Sequence, residues 1–101
     1  MTIPLTGYQR KYLRGLAHAI KPVVIIGSRG FTQAVSDALD EALNQHELVK
    51  VKFNDHKTKD LKERTTAALE ASTGASLVGM IGHTAIFFRP HPEPDKRKIK
   101  F

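Results

Sequence analysis

The sequence predicts a single α/β domain in which three helices pack on a four-stranded mixed sheet, in the order α-β-α-β-α-β-β. Segments with apolar residues three and four positions apart predict the helices, and short β-branched or alternating segments between them predict the strands. The chain has 101 residues and no cysteine. One hydrophobic core, without disulfides or thiolate metal sites, therefore has to stabilise the fold.

The first predicted helix follows Thr6, a suitable N-cap, and ends near His18. Pro22 prevents the helix from continuing. Residues 23–26 are Val-Val-Ile-Ile, a run that is typical of a buried strand. The next four residues, Gly-Ser-Arg-Gly at 27–30, form the turn that leaves this strand.

A second helix is predicted from Thr32, because its apolar residues follow helical spacing and its acids lie on the other side. Residues 47–53 alternate between apolar and polar, which predicts a strand with one buried and one open face. Lys50 and Lys52 lie on the open face. They could touch a polyanion, but solvation explains them more simply.

Thr58 can cap a third helix, and Gly74 lies where a left-handed C-terminal cap is expected. Residues 76–81 and 84–89 are predicted strands joined by Gly82-His83, which suits a type II′ hairpin turn. A helix joins the first two strands, so they should be parallel. Right-handed crossovers then place helices two and three on one face of the sheet.

Charged residues are segregated along the chain, whose formal net charge is +6. Residues 1–30 contain five Lys and Arg and no acid, whereas residues 31–48 contain four acids and no Lys or Arg. We therefore expect a basic side and an acidic side, with a polyanionic partner on the basic side. An acidic membrane surface, or solubility alone, would also fit the net charge.

The loop Gly27-Ser28-Arg29-Gly30, called the GSRG loop below, lies between a predicted strand and a predicted helix. Backbone N–H groups can converge on a phosphate in such a loop, and glycine permits close approach. Glycine is also needed in any tight strand-to-helix turn, so the spacing alone is a weak signal. Arg29 and the acid-free sequence before it favour phosphate contact.

Arg10, Lys11 and Arg14 form a cationic stripe on the first predicted helix. Charged runs are usually the solvated face of a helix, but such faces normally include acids, and none precedes residue 31. We therefore expect the stripe, together with Lys21, to contact the polyanion.

The sequence does not favour catalysis or metal binding. The five histidines are His18, His46, His56, His83 and His91. They show no metal-binding spacing, and no serine has the context of a nucleophile. A nucleotide-hydrolysing loop would continue with lysine and Ser or Thr after its second glycine, whereas Phe31 follows Gly30. We expect no enzyme activity, no cofactor and no metal.

Several blocks of sequence resemble the YhbY family, the stand-alone bacterial form of the CRM (chloroplast RNA splicing and ribosome maturation) domain. The blocks are Leu16-Ala17-His18, Lys21-Pro22-Val23-Val24, Ile26 with the GSRG loop, His46 to Lys52, and Ile81-Gly82-His83-Thr84. The likeness extends from about Leu5 to Arg89. It implies a fold similar to the C-terminal domain of translation initiation factor 3. It also implies RNA binding through the GSRG loop and the nearby basic surface, and association with precursors of the large ribosomal subunit.

Residues 1–90 are therefore predicted to form a CRM-type RNA-binding domain, and residues 91–101 a basic, flexible tail. The expected function is contact with the phosphate backbone of structured ribosomal RNA during assembly of the large subunit, by a monomer. Residues 1–5 lack a secretory pattern and no stretch has about 18 consecutive apolar residues, so we expect a cytoplasmic protein. The alternatives are a general RNA chaperone or translation regulator and, from another class, a small enzyme acting on a phosphate substrate.

Overall fold

The computed structural model describes residues 4–54 and 58–100. Its elements are α1 (Gly7–Ala17), β1 (Val24–Ile26), α2 (Gln33–His46), β2 (Leu48–Phe53), α3 (Lys59–Thr73), β3 (Ser76–Ile81), β4 (Thr84–Phe88) and a short 3₁₀-helix (Pro94–Lys96). This order confirms the predicted α/β fold. His56 lies outside the described residues. So do residues 1–3 of the predicted CRM-type domain and residue 101 of the predicted tail. No helix in the described ranges is long and apolar enough to cross a membrane.

Threonine caps each of the three α-helices. Thr6, Thr32 and Thr58 each accept a hydrogen bond from a backbone N–H in the first helical turn. The side chain of Gln9 accepts a hydrogen bond from the backbone N–H of Thr6, which completes a capping box. Gly74 ends α3 in the left-handed conformation, with φ of 76°. These local signals explain why the helix starts were predictable.

The four strands form one sheet in the order β1-β2-β4-β3. β1 is parallel to β2, and the other two pairs are antiparallel. The register of β3 against β4 shifts between Leu77 and Gly79. At the hairpin Gly82 has φ of 59°, as the first position of a type II′ turn requires. The mixed sheet predicted from the sequence is therefore confirmed.

Helices pack on both faces of the sheet, and each face has its own hydrophobic cluster. On one face α2 and α3 pack over a cluster that includes Val24, Ile26, Val51, Phe53 and Phe87. On the other, called the α1 face below, α1 packs over a smaller cluster. That cluster contains Leu13, Ala17, Leu48, Val78, Ile86 and Phe88, with Leu5, Ile20 and Ile99 against its edge. One helix covers less of a sheet than two, so part of the α1 face stays open.

Arg89, the residue after β4, connects this strand to α2 and α3. Its guanidinium donates to the Asp40 carboxylate at 2.6 Å, to the Thr73 carbonyl at 2.7 Å and to the Asn44 side chain at 2.8 Å. Because these partners lie on α2 and at the end of α3, one side chain fixes how both helices meet the sheet.

Candidate nucleic-acid interface

The GSRG loop is a tight turn at the end of β1. The backbone N–H of Gly30 donates to the Gly27 carbonyl at 3.1 Å, which leaves Ser28 and Arg29 at an exposed tip. Among the described residues, neither Ser28 nor Arg29 has a hydrogen-bond partner. The donors presented to solvent are therefore the two backbone N–H groups of the tip and the Arg29 guanidinium.

The two glycines of the loop have different roles. Gly30 is buried and has φ of 67°, and a Cβ there would lie 3.5 Å from the Thr65 hydroxyl. The left-handed backbone, rather than lack of space, requires glycine at this position. Its N–H is already used inside the turn. At Gly27 the backbone is not left-handed and a Cβ would meet nothing within 4 Å. Gly27 therefore leaves open space in which a ligand can approach the backbone.

The three first-helix cations are not equivalent. Arg10 is half-buried, and its guanidinium donates to the backbone carbonyls of Leu77 at 2.6 Å and Val78 at 3.4 Å on β3. Arg14 is also half-buried, with its Cδ 3.3 Å from where a Cβ of Gly79 would lie. Lys11 is exposed. Only Lys11 therefore projects freely, whereas Arg10 holds α1 to the sheet.

Lys21 is exposed in the segment that joins α1 to β1. It lies beside Ile20, Val23 and Leu48 at the rim of a shallow surface depression. The loop begins six positions after Lys21, a distance of at most about 20 Å along an extended chain. Lys21 and the loop thus lie at the two ends of β1 rather than in one compact site.

Electrostatic segregation survives in three dimensions. The acids of the three α-helices lie on α2 and α3, which pack on the far side of the sheet. In the described residues, α1 and all four strands contain no Asp or Glu. The helix and strands of the α1 face therefore contribute Lys11, Arg14, Lys50 and Lys52 and no acid, whereas Glu93 and Asp95 lie in the C-terminal segment, whose Ile99 packs against the edge of this face.

Glu47 anchors the C-terminal segment, a role that the sequence did not predict. The residue is 2% exposed, and its carboxylate accepts bonds from the backbone N–H groups of His91, Lys98 and Ile99 at 2.7, 2.7 and 3.1 Å. Burial acts to raise the pKa of Glu47, but these donors and the nearby His91 side chain outweigh it and hold the pKa below its ordinary value of 4.5. No local pattern in the sequence signals these contacts, since the donors follow some fifty residues later.

The anchored segment lies far from the GSRG loop. Glu47 precedes the first residue of β2, whereas the loop follows Ile26, which pairs with Phe53 at the last residue of β2. The length of β2 separates these two ends by about 17 Å. The flexibility of residues 91–101 stays a prediction.

The described residues contain no group of three or more His, Cys, Asp or Glu side chains that could hold a metal ion. The backbone donors of the GSRG loop and the nearby exposed cations offer hydrogen bonding and positive charge.

Comparison with known proteins identifies the family. The pattern of the CRS1 / YhbY (CRM) domain matches residues 5–89. The chain belongs to this family. A Haemophilus influenzae relative of this CRM domain, named as an RNA-binding protein, is 41% identical over 88% of this chain and 89% of its own length. A Pseudomonas aeruginosa relative, named as a probable RNA-binding protein, is 37% identical over 91% of this chain and 88% of its own.

The fold of the CRM domain also matches a solved structure. The solution structure of a Staphylococcus aureus protein superposes with a TM-score of 0.79 at 32% identity, covering 96% of this chain and 100% of the other. The family resemblance and the α/β fold predicted from the sequence are both confirmed. None of these comparisons tests the individual site residues, which stay predictions.

Proposed function

We propose that this protein binds the phosphate backbone of structured ribosomal RNA and assists assembly of the large ribosomal subunit. The observation that carries the proposal is the GSRG loop, whose exposed tip offers unpaired donors beside the α1 face, where the helix and the strands contain no acid. The names of the two relatives support RNA as the polyanion. In this proposal the protein acts in the cytoplasm as a monomer and uses no cofactor, metal or catalysis.

In this proposal the loop contributes position and the surrounding cations contribute affinity. Backbone N–H groups of Ser28 and Arg29 hydrogen-bond one phosphate, and the Arg29 guanidinium adds a charge-assisted bond. The N-terminal end of α2 begins three residues after the loop and adds a favourable dipole. Lys11, Arg14 and Lys21 attract the rest of the backbone without reading its sequence.

The sharpest test of the loop is Gly27→Ala. The added methyl enters open space at an ordinary backbone conformation, so folding should be preserved while close approach of a phosphate is hindered. We expect about a tenfold weaker affinity for ribosomal RNA fragments, measured by fluorescence anisotropy. Gly7→Ala is the matched control, because a Cβ there also meets nothing within 4 Å. Equal affinities of both variants and the parent would show that the loop is only a turn.

The assembly role is tested separately in cells. Tagged protein should sediment with precursors of the large subunit in a sucrose gradient of cell lysate, and the Gly27→Ala variant should shift toward the free fractions. Recovery only with the small subunit or in free fractions would refute the assembly role while leaving RNA binding intact.

A further inference from the structure

An uncovered part of the α1 face lies next to the GSRG loop. Its side chains come from all four strands and from Val23, which precedes β1, and are called the sheet patch. They are Val23, Ile25, Lys50, Lys52, Ile81 and Thr84. The strand register places Ile25 opposite Lys52, Lys52 opposite Thr84, and Thr84 opposite Ile81, so these four form one row across the sheet. At the spacing of neighbouring strands the row is about 14 Å wide.

The patch lies on the same face as α1. Lys50 pairs with Ile86, which belongs to the cluster beneath α1, and Lys52 lies two residues further along the same strand. Val23 donates its backbone N–H to the Lys50 carbonyl at 3.1 Å, which extends the patch by one row. α1 covers the other end of this face, through Leu13 and Ala17.

Three aliphatic side chains of the patch are open to solvent. Val23 and Ile25 are each 55% exposed, and Ile81 is 53% exposed. The sequence predicted that residues 23–26 form a buried strand, but only Val24 and Ile26 are buried. That expectation was wrong for Val23 and Ile25, because no helix covers this end of the α1 face. Isolated exposed aliphatic residues are common, but several on one open sheet face form a surface that can bind a partner.

The charges around the patch select its partner. Lys50 and Lys52 lie between the aliphatic side chains, and the described strands contribute no acid. The GSRG loop directly follows Ile26, one residue after Ile25. An aliphatic floor with cations beside a phosphate-binding loop is complementary to a ligand that has both apolar faces and a charged backbone. Unpaired nucleotides fit this description, whereas a duplex presents its phosphates and hides the faces of its bases.

We propose that the sheet patch binds two or three unpaired bases of RNA while the GSRG loop and the two lysines contact the flanking phosphates. This inference rests on the proposed RNA-binding function and adds that the bound segment is single-stranded. Four-stranded sheets in other RNA-binding domains hold two or three bases in the same way, although with aromatic side chains. Val23, Ile25 and Ile81 provide the apolar contact here.

The test replaces the three aliphatic residues together, as Val23→Thr, Ile25→Thr and Ile81→Thr. Threonine keeps the β-branched shape, so the exposed strand positions should tolerate it. The probes are an unstructured single-stranded RNA oligonucleotide and a duplex of the same sequence. We expect the affinity for the single strand to fall about tenfold, because apolar contact with the bases is lost. The affinity for the duplex should stay within about twofold of the parent.

Salt dependence provides a second readout. The threonine variant removes no charge, so the slope of log affinity against log salt should match the parent, whereas Lys50→Gln with Lys52→Gln should flatten it by about 1.4 for a single strand. Ala38→Ser with Ala71→Ser, at exposed positions of α2 and α3, is the control for loss of exposed apolar surface. A folded threonine variant that binds the single strand like the parent overturns the inference. A parent protein that binds neither RNA overturns the proposed function instead.

Discussion

Replacing Glu47 by Gln should markedly destabilise the protein. The carboxylate accepts three backbone hydrogen bonds, and glutamine can accept only through its one oxygen while its amide group opposes the remaining donors. A hydrogen bond to a charged group contributes about 1.5–3 kcal/mol. Release of residues 91–100 from the domain limits the total cost, so we expect a loss of about 2–3 kcal/mol in the free energy of unfolding.

The loss should be visible in thermal and urea unfolding followed by circular dichroism. For a domain of this size, each kcal/mol lowers Tm by about 4–8 °C, so the variant should melt about 8–24 °C below the parent. Glu41→Gln, at an exposed position of α2, is the control and should change the free energy of unfolding by less than about 0.5 kcal/mol. Trypsin should also cleave the variant faster within residues 96–98, because the segment is no longer anchored.

The effect should depend on pH with a defined sign. Because the pKa of Glu47 is lowered in the folded protein, the contribution of its carboxylate to the free energy of unfolding is fully present above pH 4.5. This contribution is lost as the pH falls through the pKa that Glu47 has in the folded protein. The difference between parent and variant should therefore shrink as the pH is lowered below 4.5. A variant within about 0.5 kcal/mol of the parent at neutral pH, or a difference that does not shrink in acid, would refute the anchoring role.

Three further outcomes follow from the structure. Affinity for RNA should fall with salt at a slope near −3 if about four phosphates of a single-stranded region are neutralised, and a flat dependence measured by anisotropy would contradict a polyanion partner. Arg10→Gln should lower the free energy of unfolding by about 1–2 kcal/mol, because the side chain loses its hydrogen bonds to β3. Lys11→Gln should leave the free energy of unfolding unchanged and weaken RNA binding. Equal melting temperatures of the two variants would contradict the assignment of a structural role to Arg10 and a binding role to Lys11. Gly30→Asp should reduce RNA binding, and it should also lower the free energy of unfolding by about 1–2 kcal/mol because a side chain is forced into a left-handed backbone. Melting and binding therefore have to be measured together. A Gly30→Asp variant that melts and binds like the parent would contradict both the backbone strain and the assignment of the loop as a binding site.

The fold could be predicted in detail because its boundary signals are local. Thr6, Thr32 and Thr58 each mark a helix start, and Gly74 and Gly82 mark reversals where positive φ is required. Each of these residues acts on neighbours within four positions, so the sequence around it contains the whole signal. Residues 24–26 and 48–53 became strands for a similar reason, since their β-branched and alternating patterns are legible without knowledge of the rest of the chain.

The functional surface could be predicted only in part, because side-chain partners distant in sequence decide it. Arg10 and Lys11 look alike in sequence, and only the contact with Leu77 separates a structural arginine from a free lysine. Glu47 gave no sign of its anchoring role for the same reason. The exposure of Ile25 depends on how much of the sheet α1 covers, which periodicity in β1 does not encode.

β3 is an edge strand, and its contacts with α1 and α3 bear on how the protein avoids self-association. Leu77 donates its backbone N–H to the Glu70 carboxylate at 2.7 Å, and its carbonyl accepts from Arg10 at 2.6 Å. Side chains from two helices thus occupy hydrogen-bonding groups that an unprotected edge would offer to a strand of another chain. The register shift between Leu77 and Gly79 further disturbs the flat edge that such pairing needs. Arg10 therefore hinders intermolecular β-pairing at this edge. Replacing it should favour aggregation even in a variant that still folds.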